Sequence, residues 1–297
     1  MIARTLVFSS HGHLSVRNRQ LVYQTEQAEP RTFPIEDVGF VLIESEAITI
    51  TAYALRELAE ANVAVIVCDQ LHLPVGCLQP YAAHSTTQET VSAQLSASDA
   101  VQGRLWRQIV QQKIINQANL MTRLQANGVK RLHTLAESVK NYDSTNAEAQ
   151  AARIYFQALL PPDVTRSPEG AWPNCALNYG YAILRAAVAR ALIGSGLLCI
   201  RGIHHHNRYN AYCLADDIME PYRPFVDQYV LGHVPPFDVS SPRLEKEHRV
   251  RLLQMLTCDV KLGEVRRPLM VALSYTTASL ARHYLNKEPI LLPELTP

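Results

Sequence analysis

No stretch of this 297-residue chain approaches the roughly 20 consecutive apolar residues that a membrane span needs, so no membrane partner is expected. The opening MIARTLVFSS lacks the charged, apolar, then small-residue plan of a secretory signal and starts like a folded strand. Several signatures of enzyme classes are also missing. There is no GxxxxGK[ST] phosphate loop and no GxGxxG after a strand, which excludes the commonest nucleotide cradles. No GxSxG elbow presents a serine nucleophile, and no HExxH or paired Cys/His spacing suits zinc. Aromatic residues are only 7% of the chain and do not interleave with basic residues in the strands, so a base-stacking platform for single strands has no support. The six cysteines (Cys68, Cys77, Cys175, Cys199, Cys213, Cys258) include no CxxC pair and mostly sit among apolar neighbours. They read as reduced core thiols, which points to the cytoplasm.

The composition that remains is that of a folded protein, 47% hydrophobic and 19% charged. Net charge is +1, but it is unevenly spread: residues 1–85 carry five Lys/Arg against nine Asp/Glu. Residues 101–140 carry seven basic side chains (Arg104, Arg107, Lys113, Arg123, Lys130, Arg131, Lys140) against the single acid Glu137. Such a block on a helical stretch either tracks a phosphate backbone or is a solvated face.

Strand signals dominate the first 80 residues: Arg4–Phe8, the pair His13–Val16 and Leu21–Gln24 about an Asn18 turn, Val38–Ile43, Val63–Val67 and Leu73–Leu78. One helix, Thr51–Asn62, interrupts them, so a small sheet with a crossover helix is expected. Polar residues prevail over His84–Ser98, a linker or helix start, and beyond it helical spacing takes over. Gln102–Asn127 is expected to be a helix stopped by Gly128, Asn174–Ile193 a helix entered through Pro173-Asn174, and Pro268–Tyr284 another. The expected class is α+β: a small β-rich N-terminal domain over 1–85, then a larger all-α catalytic domain over 86–297.

The densest chemistry lies in RGIHHHNRYNAYCLADDIMEPYRPFVD, residues 201–227. If Leu214–Glu220 is helical, Asp217 and Glu220 share a face at i, i+3, and Asp216 joins Glu220 at i, i+4. Adjacent carboxylates repel unless a cation offsets them. Three imidazoles beside them complete a donor set suited to magnesium or manganese. Pro221 puts the acids at a kink, where side chains converge. The alternative is a solvated face, or ion pairs to Arg208 and Arg223, with the histidines as polar filler. A second candidate is Glu148, the lone acid of an alanine-rich helix (NAEAQAAR), where small neighbours allow close approach; a purely structural helix has the same look.

From Asn174 onward, NCALNYGYAILRAAVARALIGSG followed by GIHHHNRYNAYCLADDIMEPYRPFVD resembles the signature of the CRISPR-associated spacer integrase family, Cas-one, and is most similar to its type II branch. The likeness extends to EAQAARIYFQALL and to RTLVFSSHGHLSVRNRQLVY, nearly the whole chain. It implies a β-rich domain that dimerises and a helical catalytic domain, with the family's catalytic acid on Glu148, its histidine on His205 (with His204 one place away) and its last acid on Glu220. Asp217 is a supporting carboxylate, and all four are implied ligands of Mg2+ or Mn2+. The implied partners are double-stranded DNA (spacer precursor and CRISPR repeat), a second copy of the chain, the small protein Cas-two in a heterohexamer, and the type II effector nuclease. The implied activity is that of a metal-dependent DNA endonuclease and integrase. Without the resemblance, a metal-dependent phosphohydrolase acting on nucleotides or RNA uses the same residues, and a non-catalytic DNA-binding scaffold needs none of them.

Overall fold

β-branched residues crowd the N-terminal third, and strands follow. The computed structural model describes residues 4–78, 80, 84–168, 170–234, 236 and 244–297. In chain order come β1 (Arg4–Phe8), β2 (Gly12–Arg17), β3 (Gln20–Gln24), β4 (Arg31–Pro34), β5 (Val38–Ile43), β6 (Ile48–Ile50), α1 (Ala52–Glu60), β7 (Ala64–Cys68) and β8 (Pro74–Leu78). Two four-stranded sheets form instead of the one expected, ordered β4-β3-β2-β6 and β1-β5-β7-β8. The β2–β3 hairpin turns on Asn18 and Arg19, both at positive φ (51° and 59°), the backbone twist that two-residue hairpins favour. In the second sheet β1, β5 and β7 run parallel and β8 antiparallel.

Strand β5, VGFVLI, is buried at every position, as a central parallel strand should be. Its alternating side chains serve two cores. Val41 and Ile43 pack with Leu14, Leu21 and Val65 on the head side, whereas Phe40 and Leu42 join Ala64 and Ile66 against the helical body. Just past β5, buried Glu44 accepts from Arg249 Nε at 2.8 Å and Nη2 at 3.0 Å, an ion pair across the two halves.

The body comprises α2 (Thr87–Leu95), α3 (Asp99–Arg123), α4 (Val129–Ser138), α5 (Ala147–Leu159), α6 (Asn174–Gly194), α7 (Cys213–Met219), α8 (Arg223–His233), α9 (Lys246–Leu253), β9 (Asp259–Leu262), β10 (Val265–Pro268) and α10 (Leu269–Asn286). The antiparallel β9–β10 hairpin corrects the all-α expectation: Val260 and Leu262 turn inward, and Gly263 supplies the positive φ (61°) of its turn. Helix α3 ends at Arg123, with Gln125 at φ 53°; Gly128, at φ 100°, precedes α4 instead of stopping α3. The polar 84–98 stretch is largely α2, docked by buried Gln94, which bonds the backbone of Leu198 and Arg201. Among the described residues no helix is long and apolar enough to cross a membrane.

Candidate active site

Five segments meet beside α3. Helix α5 delivers Glu148 in its first turn. There Asp143 accepts hydrogen bonds from the backbone N–H groups of Ala147 (2.8 Å) and Glu148 (2.9 Å), capping the helix from the preceding loop. Ala147 and Ala151 are buried, so the small residues bring α5 close to its neighbours. Glu220 follows α7 in a 3-10 turn, Glu220–Tyr222, which leads into α8. Asn116 of α3 fixes that kink. It is fully buried, donates to the carbonyls of Pro221 (2.7 Å) and Pro293 (2.9 Å), and accepts from Leu295 N–H (3.0 Å). The C-terminal tail is thereby strapped behind the site.

Lys113, one turn before Asn116, joins the two acids. Its ammonium donates to Glu148 Oε1 at 2.6 Å and contacts Glu220 Oε2, while Arg223 takes the other Glu220 oxygen at 2.8 Å. Burial works to lower the Lys113 ammonium, but Glu220 and Glu148 more than offset it, and the net shift is upward. Burial would likewise raise Glu220, yet Arg223 and Lys113 hold its carboxyl at about 2. Arg223 also lies over the Tyr181 ring, 4.5 Å from its centre. Tyr181 and Tyr155 donate to buried Asp227, tying α5, α6 and α8 together behind the acids.

The histidine triplet divides three ways. The loop 203–205 wraps Asp217, whose Oδ2 accepts from the N–H of Ile203 (2.6 Å) and His204 (3.1 Å) and whose Oδ1 accepts from His205 N–H (3.2 Å). His205 Nδ1 lies 2.6 Å from the same Oδ1. That bond raises the imidazole above its usual range against the opposing effect of burial, and Glu220 adds to it. Held through Nδ1, the ring keeps Nε2 for another partner. His204 stacks on Trp106 with centroids 4.4 Å apart, and burial lowers its imidazole. His206 is exposed.

Glu148 and Glu220 thus meet at one ammonium, and His205 belongs to the same electrostatic neighbourhood. Asp217, the supporting carboxylate, is wholly buried, and its two oxygens accept four hydrogen bonds, one of them from the His205 ring that it orients. Asp216 is ion-paired with Arg185 at 2.7 Å, whereas Arg208 lies over Tyr209. The basic block is no single surface, because Lys113 is buried in the site while Arg104, Arg107, Lys130, Arg131 and Lys140 are exposed. Sequence reasoning missed Lys113's role, Trp106 and the Asp227 cluster; the ion pair to Arg223 that it kept as the alternative for the acids forms at Glu220. Among the described residues no group of three His, Cys, Asp or Glu is already gathered as a metal site. The donor chemistry nevertheless fits a divalent ion: two carboxylates close enough to share one cation, beside an oriented imidazole, suit Mg2+ or Mn2+.

Fold and site together define the class: an α+β protein with a two-sheet head and a helical body holding a buried carboxylate–lysine centre beside an oriented histidine. The fold is shared with a casposase bound to integration product, at TM-score 0.79 and 20% identity over 97% of this chain and 92% of that one. A CAS1 protein from Thermotoga maritima matches at TM-score 0.76 and 18% identity, covering 98% and 100% of the two chains. The chain belongs to the family described as CRISPR associated protein Cas1, whose model matches residues 5–249. A CRISPR-associated endonuclease Cas1 from Neisseria meningitidis serogroup C (strain 8013) is 36% identical over 300 residues, spanning 100% of this chain and 98% of its own.

Proposed function

We propose that this protein is a metal-dependent DNA endonuclease and integrase of CRISPR adaptation that inserts spacer DNA into the CRISPR array by transesterification. The observation that carries the reading is the convergence of Glu148 and Glu220, from distant parts of the chain, on a single cationic point beside an imidazole already oriented by a buried carboxylate. Family membership and the fold shared with a casposase bound to integration product support it. Glu148, His205 and Glu220 would hold Mg2+ or Mn2+.

The bound ion would polarise the scissile phosphate and lower the pKa of the attacking 3′-hydroxyl. The chain's own contribution is placement. Asp217 locks the His205 ring, Arg223 and Asn116 fix the Glu220 turn, and the Asp143 cap sets the position of Glu148. Buried Trp106 packs against the faces of His204 and His205 and so braces the histidine loop. No protein nucleophile is needed, and burial pushes the Cys199 and Cys258 thiols up to about 12, away from the reactive thiolate. Exposed Arg104, Arg107, Lys130 and Arg131 are suited to the phosphate backbone without reading sequence.

The protein would act as a homodimer through its strand-rich head and with Cas2 in a heterohexamer, alongside the effector nuclease of a type II system, in the cytoplasm. A fold match to the Cas6-RT-Cas1--Cas2 complex, at TM-score 0.73 and 22% identity over 97% of this chain and 35% of that one, supports the Cas2 partner. Strand transfer into a repeat-containing duplex tests the reading. Glu148→Ala should retain its fold and lose joining about a thousandfold, some 4 kcal/mol of barrier. Joining at the wild-type rate by the folded variant would overturn it. Hydrolysis of nucleotides in place of DNA joining would mark a small-molecule phosphohydrolase.

A further inference from the structure

Lys113 sits where the proposed ion has its business. Its side chain is 11% exposed, and that of Glu220 only 6%. Glu148 lies 35 residues downstream of Lys113, and Glu220 belongs to another segment altogether, so no local turn holds the two acids together. Two carboxylates this near, in a half-dry setting, repel each other strongly unless a positive charge lies between them. Arg223 bonds Glu220 through its other oxygen. Among the described residues, Lys113 is the group in contact with both acids.

We propose that Lys113 is an internal counter-ion for the Glu148–Glu220 pair and that it competes with the divalent ion for those carboxylates. This rests on the metal reading above and sharpens it. An ammonium and a divalent ion cannot both lie against the same two oxygens without severe like-charge repulsion, so loading must draw Lys113 away from at least one acid. The lysine keeps the acids gathered before loading and sets a limit on ion affinity. The four-methylene stem makes such a withdrawal feasible, because the ammonium swings on several rotatable bonds.

The full-length protein, stripped with chelator, would be titrated with Mn2+ by calorimetry and melted with and without the metal. Four forms are compared: wild type, Lys113→Met, Glu148→Gln and the double variant. Lys113→Met should bind Mn2+ about tenfold or more tighter than wild type. Its melting temperature in chelator should fall, and its rise on adding Mn2+ should exceed that of wild type. Glu148→Gln in the Lys113→Met background should restore the melting temperature in chelator, because one of the two repelling charges is gone. Equal or weaker Mn2+ affinity in Lys113→Met, or no restoration by Glu148→Gln, overturns the proposal. If Lys113→Met does not fold in chelator, recovery by Mn2+ or by Glu148→Gln supports it and recovery by neither refutes it. Failure of wild type itself to bind Mn2+ sinks the metal reading and the competition with it, whereas the melting comparison still judges the counter-ion role.

Discussion

Asp217→Asn changes one atom and should unmake the histidine loop. The carboxylate accepts four hydrogen bonds: two on Oδ2 from Ile203 and His204 N–H at 2.6 and 3.1 Å, and two on Oδ1 from His205 N–H and Nδ1 at 3.2 and 2.6 Å. An asparagine offers one acceptor oxygen and one NH2. If the amide oxygen takes the Oδ2 place, the NH2 faces two groups that were donating, and both bonds are lost. Hydrogen bonds to a buried charge contribute about 1.5–3 kcal/mol each; removing the cost of burying the charge returns part of that, leaving a net loss of about 3 kcal/mol. Urea unfolding of purified protein reads this directly. The same variant frees the His205 ring, and loss of an orienting partner of this kind lowers activity or metal affinity about 10- to 100-fold. Strand transfer and Mn2+ titration read that second effect. A loss below about 1 kcal/mol together with unchanged joining would refute the assigned role of Asp217.

Gly202→Ala should damage the same loop from the opposite side. A Cβ there would run into the His205 carbonyl oxygen and lie 2.9 Å from Asp217 Oδ2, so a loss of about 1–3 kcal/mol in urea unfolding is expected, with joining impaired; stability within about 0.5 kcal/mol of wild type would contradict it. Asp227 should give a pH signature. Burial pushes its carboxyl from the ordinary 3.8 to about 6 even though Tyr181 and Tyr155 donate to it. The folded state therefore keeps a proton that the unfolded chain has released, and the stability from this group is full below about pH 3.8 and lost as pH rises through about 6. The loss is at most about 3 kcal/mol. Asp227→Asn should remove that decline in urea unfolding between pH 4 and 7; an identical decline in variant and wild type would show that Asp227 is not its source.

What the sequence revealed of the site was mostly local. His205, Asp217 and Glu220 lie within sixteen residues, and the carboxylate spacing with Pro221 placed the acids at a kink, which the 3-10 turn Glu220–Tyr222 bears out. Glu148 was a candidate as the lone acid of an alanine-rich helix, but only the family resemblance joined it to the other site residues, because such a helix carries no signal of a partner 72 residues away. Lys113 was counted in a basic block read either as tracking a phosphate backbone or as a solvated face, although a signal against both was present. It falls at i+4 from Ile109 and i+3 from Val110, on the stripe that α3 buries, and a lysine there must find a buried acid. In the fold, β5 and the β2–β3 hairpin were legible from long runs and a turn residue. Strands β4, β6, β9 and β10 have three or four residues each, too few for an alternating pattern to emerge, and they exist through pairing with partners elsewhere.

The arrangement around Glu220 also constrains how charge must move during the proposed reaction. Asp227, Arg223, Glu220, Lys113 and Glu148 alternate in sign through successive neighbours, and with the acids ionised at pH 7 the group carries one net negative charge. Most of it is buried, where an unbalanced charge is costly. A divalent ion would bring the cluster to one net positive charge, and a single phosphodiester would return it to neutrality. Without that anion, the loaded site would hold excess positive charge in a half-dry setting beside an imidazole already shifted toward its cationic form by Asp217. Metal and DNA phosphate should therefore bind more tightly together than either does alone, each relieving the electrostatic cost of the other.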